Sequence, residues 1–409
     1  MKQLSQQQHR KLSETFQLGQ KAMQLGAFNQ AEKHFLDIIK INPDLIEAQA
    51  SLAYVYAASK QHAKAASQLK LILKSNPNHA QTNFNLANSL YEQQLYDEAI
   101  KYYQLAIQLE PNFVNAHIHC GICYRMLKNY NEAIVCLQQA LNLDKANARA
   151  FHVLGMVYVD IEDYNRALHC LESAAELAPK HAEFRVSFAS VLEKASLDIE
   201  AGLQYHLACE IDPNYLDGFT LYGAYLLKHH RHDEALECFK RAELLAPQNL
   251  DVLDYLGNTY LGMSDTDAAL KQFNATLQIE PKRVASLTGI EQVYQETGKL
   301  DAAMDVCDKI ISINPSLPTG FLLKTRIKKS KSDDGLAEQL LKFVEQDDSS
   351  QENKIAINFA LGKIYDDQNN YEQSFKFYAK GNALKNTAFE YNPEVDEAKF
   401  SELIKVFDL

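Results

Sequence analysis

Four residues in one short segment have side chains that commonly bind metal ions: His117, His119, Cys120 and Cys123. Imidazole nitrogen and thiolate sulfur are the usual ligands of zinc in proteins. On a helix, however, His117 and His119 are two residues apart and point in different directions. Cys120 takes a position that leucine holds elsewhere in the chain, and the paired ligand clusters typical of zinc are missing from the sequence. We therefore interpret these side chains as packing residues and predict neither a metal site nor a cofactor.

The remaining cysteines and histidines offer no better arrangement for catalysis. Three cysteines recur at one equivalent position of an internal repeat, namely Cys136, Cys170 and Cys238. Such recurrence is typical of helix packing residues rather than of nucleophiles. We expect a second group, a solvated cluster of His229, His230 and His232, in a predicted turn. Since a glycine-rich phosphate loop, a nucleophile elbow and a zinc-protease helix are all missing, the sequence predicts no catalytic chemistry of its own.

Charge and apolar patterning argue against two classes of partner. The 409 residues carry a formal net charge of -12, whereas proteins that bind nucleic-acid backbones need a surplus of lysine and arginine. The sequence contains no apolar run of about 18 residues that could span a bilayer, and its N-terminus lacks the apolar core of a signal peptide. The seven cysteines are scattered, so a disulfide framework is not expected. We predict a soluble, cytoplasmic protein that binds neither nucleic acid nor membrane.

The elements that position these side chains repeat every 34 residues. Alanine recurs at this step without exception, at Ala31, Ala65, Ala99, Ala133, Ala167, Ala201, Ala235, Ala269 and Ala303. Proline recurs at Pro43, Pro77, Pro111, Pro179, Pro213, Pro247, Pro281 and Pro315, with Lys145 at the missing position. A small residue stands twelve positions before each alanine except at Glu291, in the series Gly19, Ala53, Ala87, Gly121, Gly155, Ala189, Gly223 and Gly257. Chance does not plausibly produce these series together.

Each repeat is predicted to be a helical hairpin. Small residues at two points twelve apart let two antiparallel helices cross closely, and the apolar residues between them recur at helical spacing. Proline near the end of the second helix cannot continue that helix and sets the turn into the next hairpin. Turn and cap residues agree, with Gly298 after a first helix and Asp163 or Ser264 placed to cap a second helix.

These residues resemble the tetratricopeptide repeat family. Its pattern stands in one unit as Leu154, Gly155, Tyr158, Ala167, Leu171 and Pro179, although the family's first tryptophan is absent throughout. The resemblance implies an all-α fold, an α-solenoid in which tandem helical hairpins form a right-handed superhelix.

The period divides the chain into five parts. A polar extension over residues 1–11 precedes nine regular units over 12–317. The period then weakens over 318–354, where we expect a degenerate hairpin with helices at 321–329 and 336–345, followed by a polar turn. A further unit is predicted over 355–388, and a capping helix over 396–408 within the last segment, 389–409.

The end of the chain carries a second resemblance, to the unit that closes the repeat array in bacterial tetratricopeptide-linked sulfotransferases. The matching residues are Phe359 to Lys363, Tyr365 to Asp367, Tyr371, Phe375, Tyr378, Gly381, Asn382, Lys385 and Tyr391. In that family a catalytic domain follows, with a loop that holds the phosphosulfate donor, and this sequence has no such loop before Leu409. The resemblance implies a non-catalytic, substrate-recruiting region associated with a sulfotransferase. Convergence of an ordinary repeat on the same residues is the alternative.

In the tetratricopeptide family the inner face is lined by the first helix of each hairpin, at about its second, fifth, ninth and twelfth positions. The fifth positions here include no lysine or arginine, so the carboxylate clamp of relatives that bind chaperone tails is absent. The repeats of O-linked N-acetylglucosamine transferases carry asparagine at the ninth position, which only Asn88 and Asn258 match here. Association with a glycosyltransferase therefore remains a weaker alternative.

The mapped positions predict a partner-binding face with an apolar middle and a more acidic stretch. Its apolar members are Phe84, Tyr91, Ile118, Ile122, Met126 and Met156. Its acidic members are Asp217, Asp251 and Asp254, and the remaining members are Asn88, Arg125, His152 and Asn258. We predict an interaction module that binds an extended peptide or a partner domain, one flank of which is basic. One alternative is that the apolar side chains pack against neighbouring first helices. Another is an architectural scaffold that uses its convex surfaces.

Overall fold

The computed structural model describes residues 6–327, 329, 335–344 and 350–388, with side chains from Arg10 onward. In these ranges all regular secondary structure is α-helical. The chain divides into two compact units, Met1–Gly218 and Phe219–Leu409. Because successive helices in each unit pair as hairpins, the all-α fold of tandem helical hairpins predicted from the period is confirmed.

The first unit contains six hairpins, each formed by an odd-numbered helix and the next helix. Its helices are α1 Gln6–Gln24, α2 Phe28–Ile41, α3 Ile46–Ala58, α4 His62–Ser75, α5 Ala80–Tyr91, α6 Tyr96–Leu109, α7 Val114–Met126, α8 Tyr130–Leu143, α9 Ala148–Asp160, α10 Tyr164–Leu177, α11 Ala182–Lys194 and α12 Asp198–Ile211. The first helix begins at Gln6, inside the segment 1–11 that is predicted as a polar extension.

The second unit continues the pattern and ends in a less regular part. Its helices are α13 Leu216–Lys228, whose first turn precedes the boundary, α14 His232–Leu245, α15 Leu250–Gly262, α16 Thr266–Ile279, α17 Val284–Glu296, α18 Leu300–Ile313, α19 Thr319–Ile327, α20 Leu336–Val344, α21 Gln351–Asp367 and α22 Tyr371–Ala388. Helices α19 and α20 are nine residues each, shorter than those of the regular hairpins. The predicted capping helix over 396–408 lies outside the described residues.

Close packing at each hairpin crossing explains the alanine series. All nine alanines of the series are fully buried, with 0% of their surface exposed. A Cβ atom built on Gly121 would lie 2.8 Å from the Cγ of Leu137, and one on Gly155 would lie 2.6 Å from the Cγ of Leu171. Since real Cβ atoms do not approach that closely, glycine lets the first helix contact the large side chain of the second helix.

Glu291 interrupts the small-residue series because its hairpin reverses the sizes of the two contacting side chains. Sixteen residues after each small residue stands a buried core residue, which is Phe35, Leu69, Tyr103, Leu137, Leu171, Tyr205, Phe239, Phe273 or Cys307. Cys307, on α18, is the smallest of these and is the residue opposite Glu291, on α17. The two side chains together fill the space that a small and a large residue fill in other hairpins.

The turn inside each regular hairpin places one residue in the left-handed region. These residues again repeat every 34 positions, with φ between 58° and 71°, at Gly26, Lys60, Gln94, Lys128, Glu162, Ser196, His230, Ser264 and Gly298. Ser264 is therefore a turn residue, and its predicted role as a cap is wrong. The cap of α16 is Asp265, whose carboxylate accepts a hydrogen bond from the backbone N–H of Ala268. Asp163 caps α10 as predicted.

Candidate functional site

The first unit contains a cleft of about 620 Å³ where the first helices of three consecutive hairpins meet. Its lining comes from α7, α9 and α11 and from two residues between α10 and α11. The lining residues are Ile122, Arg125, Ala148, Arg149, His152, Val153, Ala178, His181, Glu183 and Phe184. The structure thus brings three of the predicted site residues together, namely Ile122, Arg125 and His152.

Arginine side chains give this cleft its positive charge. The Arg125 guanidinium forms two hydrogen bonds with the Asp160 carboxylate, from Nε to Oδ2 at 2.6 Å and from NH2 to Oδ1 at 3.2 Å. This pair, which joins α7 to α9, fixes the orientation of Arg125. Arg149 is exposed and forms no ion pair with any residue that the structure describes. Arg149 is therefore the cation available to a ligand, with Glu183 as the nearby acid of the lining.

An aromatic stack forms one wall of the cleft. The Phe184 ring lies between two imidazoles, with its centroid 4.5 Å from that of His152 and 4.9 Å from that of His181. His152 Nε2 also hydrogen-bonds the Ser187 hydroxyl at 2.9 Å. Burial, together with the positive charges of Arg125 and Arg149, lowers the pKa of His152 to about 4. At neutral pH His152 is uncharged and contributes a flat, hydrogen-bonded surface.

The apolar middle of the predicted partner-binding face is not continuous, because two of its members are core residues. Ile118 is 1% exposed and Phe84 is 9% exposed. Phe84 packs against the Phe113 ring, with centroids 4.8 Å apart, and against the His119 ring. The fifth positions of these two first helices thus contact the neighbouring hairpins. For Ile118 and Phe84, the alternative that the apolar side chains pack against neighbouring first helices is therefore correct. Three other members remain accessible: Ile122 and Met156 are half-buried and Met126 is exposed.

Asn88 and Tyr91 belong to an earlier part of the first unit. Asn88 accepts a hydrogen bond from the Tyr103 hydroxyl at 2.6 Å, and Tyr91 packs against the Tyr96 ring. Asn88 also lines a cleft of about 390 Å³ between α3 and α5. Tyr54, at the ninth position of α3, is 60% exposed in that cleft. This second cleft is lined by both apolar and polar side chains and is separate from the cleft at Ile122.

The predicted acidic stretch is wrong at Asp254, which lies in the second unit. Asp254 is only 6% exposed and accepts hydrogen bonds from Arg283 Nε at 2.6 Å and from the Ser286 hydroxyl. Arg283 also pairs with Asp251, whose own side chain stays exposed. Sequence reasoning missed this network because Arg283 comes from the following hairpin, so only the fold brings it to the two carboxylates. Asp217, in the first unit, and Asn258, in the second, are exposed.

A third cleft, of about 490 Å³, lies in the second unit among α19, α21 and α22. Arg326, Lys363 and Lys385 surround its apolar floor, which includes Phe359. Lys363 is held by Asp367, with Nζ and Oδ2 2.6 Å apart. Phe359, Lys363 and Lys385 are among the residues that carry the resemblance to sulfotransferase-linked repeats.

His119 and His232 have packing roles. His119 lies against the rings of Phe84 and Tyr103, and burial lowers its pKa to about 4. The expected solvated cluster near His232 is wrong at that residue, because its Nδ1 is buried and a Cβ built on Gly262 would contact the ring. Within the described ranges, no three His, Cys, Asp or Glu side chains are arranged to hold a metal ion.

Among the described residues, no helix combines the length and the apolar character that crossing a bilayer requires.

Comparisons with known proteins agree with the helical hairpins. Tetratricopeptide repeat models match residues 78–146, 148–181, 292–317 and 355–387. Of the solved structures, a tetratricopeptide repeat protein from Parabacteroides merdae superposes with a TM-score of 0.52 at 15% identity. The match covers 61% of this chain and 99% of that chain, so the two share a fold.

Two curated proteins are similar over a shorter stretch. The chain is 27% identical over 140 residues to Protein bimA of Emericella nidulans and 25% identical over 138 residues to Protein O-mannosyl-transferase TMTC3 of Homo sapiens. These stretches are 34% and 33% of this chain. They cover only 17% and 15% of the length of those two relatives.

Proposed function

We propose that the chain, four segments of which match tetratricopeptide repeat models, is a protein-interaction module that binds an extended peptide segment across the first helices of its first unit. The observation that carries this proposal is the cleft at Ile122, Arg149 and Phe184, where side chains from three consecutive hairpins meet. A site built by successive first helices suits an extended segment, because each hairpin contacts a different residue of the ligand.

The cleft can bind a ligand through both apolar contact and charge. Half-buried Ile122 offers apolar surface, and burying one aliphatic or aromatic anchor of the partner contributes roughly 1.5–3 kcal/mol. Exposed Arg149 can pair with a carboxylate or a backbone carbonyl of the ligand. Arg125 is already paired with Asp160 and therefore shapes the cleft more than it supplies free charge.

The experiment uses peptides selected from a random displayed library on the full chain. The double substitution Ile122→Asp with Met156→Asp is expected to weaken binding of the selected peptides at least about tenfold in calorimetric titration. Leu203→Asp is the matched control, because Leu203 is 55% exposed on a second helix, α12. Unchanged affinity of the double variant, with its helicity intact, would move the working surface elsewhere and favour the scaffold alternative.

A finer proposal is that the partner carries lysine or arginine on one flank. Its support is the exposed carboxylate of Asp217 in the first unit. Asp251, in the second unit, is also exposed but pairs with Arg283. Such a contribution fades as salt rises through physiological ionic strength, whereas apolar contact does not. If the selected peptides show no excess of lysine or arginine and their affinity does not depend on salt, the proposed basic flank is wrong. The negative net charge supports the absence of a nucleic-acid partner. We also propose that the chain functions in the cytoplasm and has no membrane partner.

Two enzyme associations remain as second candidates. Similarity over 138 residues to Protein O-mannosyl-transferase TMTC3 favours a repeat region that accompanies a glycosyltransferase. The cationic cleft at Arg326, Lys363 and Lys385 favours a substrate-recruiting region that accompanies a sulfotransferase. In either case we propose that the chain itself is not catalytic. Calorimetric titration with phosphoadenosine phosphosulfate tests the second candidate, and a saturable signal would contradict a purely recruiting role.

A further inference from the structure

The second position of successive first helices changes its charge along the first unit. In order from α3 to α13 this position holds Glu47, Gln81, Asn115, Arg149, Glu183 and Asp217. These residues are 34 positions apart in the sequence, so they occupy equivalent places in successive hairpins. Arg149 is the one cation of this series, and it is followed directly by two acids.

Arg149, Glu183 and Asp217 are available to a ligand. Each of these side chains is exposed, and none of the three forms an ion pair with any residue that the structure describes. Arg125, one hairpin earlier, differs in this respect, because its Nε lies 2.6 Å from the Asp160 Oδ2. The three charges are therefore not neutralised by the described part of the chain.

The sign of the charge changes within the cleft of about 620 Å³, since Arg149 and Glu183 both line it. Tyr215 directly precedes α13 and is half-buried. Burial, followed by the negative charges of nearby carboxylates that include Asp217 and Glu183, raises the pKa of Tyr215 to about 12. Both carboxylates thus act on one phenol near the start of α13. A ligand meets a positive charge at α9 and negative charges from α11 towards α13.

The spacing of the helices sets the spacing of the ligand charges. Packed neighbouring helices have axes roughly 8–10 Å apart, and an extended chain advances roughly 3.3 Å per residue. One step from a first helix to the next therefore corresponds to about three residues of an extended ligand. A ligand side chain at Glu183 is about three residues from the one at Arg149, and a side chain at Asp217 is about six residues from it.

We propose that the peptide site of the first unit selects a segment with an acidic residue that pairs with Arg149 and a basic residue, about three positions away, that pairs with Glu183. A second basic residue further along the segment gains from Asp217. This selectivity rests on the proposed function, because it concerns the ligand of the same cleft. A segment with the two charges exchanged places its basic residue beside Arg149 and its acidic residue beside Glu183, where like charges repel. The order of the charges thus determines which segment binds.

The experiment uses peptides selected from a random displayed library on the full chain, together with synthetic counterparts in which the acidic and basic residues are exchanged. Selected peptides are expected to share an acidic and a basic residue about three positions apart. In calorimetric titration the exchange is expected to weaken binding about tenfold at low salt and less at high salt, because exposed charges are screened. Selected peptides without such a pair of charges would overturn the proposal.

A charge-exchanged protein separates this selectivity from a loss of fold. The double variant Arg149→Glu with Glu183→Arg is expected to prefer the exchanged peptide and to bind the original peptide about tenfold more weakly. Lys101→Glu with Glu176→Arg is the matched control, because it exchanges two exposed charges on the second helices α6 and α10. The control is expected to keep the preference of the unaltered protein.

Two outcomes distinguish an error in the charge selectivity from an error in the peptide site. If both peptides bind the unaltered protein equally, while Ile122→Asp with Met156→Asp still weakens both, the charge selectivity is wrong and the peptide site stands. If the Ile122 and Met156 variant also binds both peptides unchanged, the peptide lies outside the cleft, and the proposed function is wrong as well.

Discussion

At the scale of single residues, Glu291 shows how one substitution alters a repeated contact. Its carboxyl is 1% exposed in the crossing of α17 and α18, where it accepts a hydrogen bond from Gln295. Burial raises its pKa, and the hydrogen bond from Gln295 and the positive charge of Arg326 on α19 oppose that effect only partly. Cys307 is the other titratable group that faces it, from α18. The folded state therefore favours the protonated carboxyl more than the unfolded chain does.

We predict that Glu291→Gln stabilises the protein at neutral pH. Because the pKa is raised on folding, stability is greatest below the ordinary carboxyl range and falls as pH rises through the raised pKa. The amide keeps the shape and cannot ionise, so a rise in Tm of about 1–3 °C is expected at pH 7 and almost none at pH 4. Calorimetry at both pH values measures this. A lower Tm at pH 7 would mean that attraction to Arg326 outweighs desolvation.

We predict the opposite pH dependence for His152. Its pKa is about 4 in the folded chain, against 6.5 for an ordinary histidine, because burial disfavours the charged ring. Stability therefore falls as pH drops from about 6.5 towards 4, since the unfolded chain binds the proton first. His152→Gln should remove about 1–3 kcal/mol of the loss between these values, measured by urea unfolding. Parallel pH profiles for both proteins would contradict the prediction.

At the scale of elements, most hairpin turns place a residue other than glycine in the left-handed region, where glycine is least strained. The left-handed turn residue is glycine in only two of nine regular hairpins, so seven turns hold a residue with a side chain at positive φ. Such a conformation costs roughly 1–2 kcal/mol for a residue with a Cβ atom. Lys60, with φ 59°, is exposed in the turn between α3 and α4.

We predict that Lys60→Gly raises the free energy of unfolding by about 0.5–1 kcal/mol, the conformational relief less the greater freedom of glycine in the unfolded chain. Lys60→Ala is the control, because alanine removes the same charge but keeps the Cβ atom. Urea unfolding that ranks the glycine variant at or below the alanine variant would show that the turn is unstrained.

The helices and their pairing could be predicted from the sequence because they depend on a period that every hairpin repeats. Ala167 and Gly155 mark a crossing in the sequence as clearly as in the structure. The candidate site could be predicted only in part, since a helical position does not reveal what lies opposite it. Ile118 is buried by a neighbouring hairpin, and Asp254 is neutralised by Arg283 from the next one. Both depend on contacts between hairpins, which the period of a single hairpin does not contain.

At the scale of the whole molecule, stability is spread over small apolar clusters that succeed one another along the chain. In the first unit, one cluster contains Phe35 and Leu52, the next contains Leu86 and Tyr103, and a third contains Leu137 and Leu171. Each hairpin contacts mainly the hairpin before it and the hairpin after it. In such an array, damage to one hairpin weakens its neighbours most and distant hairpins least.

We predict that Ala167→Asp unfolds the chain locally around α9 and α10. Ala167 is 0% exposed at a hairpin crossing, so the new carboxylate would be buried without a partner, at a cost of several kcal/mol. Hydrogen exchange should show lost protection over residues 148–177, a smaller loss in α8 and α11, and little change in α1 to α4. Asn165→Asp is the control, because it adds the same charge at an exposed position of α10. Uniform loss of protection along the first unit would mean that its hairpins unfold as one cooperative block, and unchanged protection over 148–177 would mean that the crossing tolerates a charge.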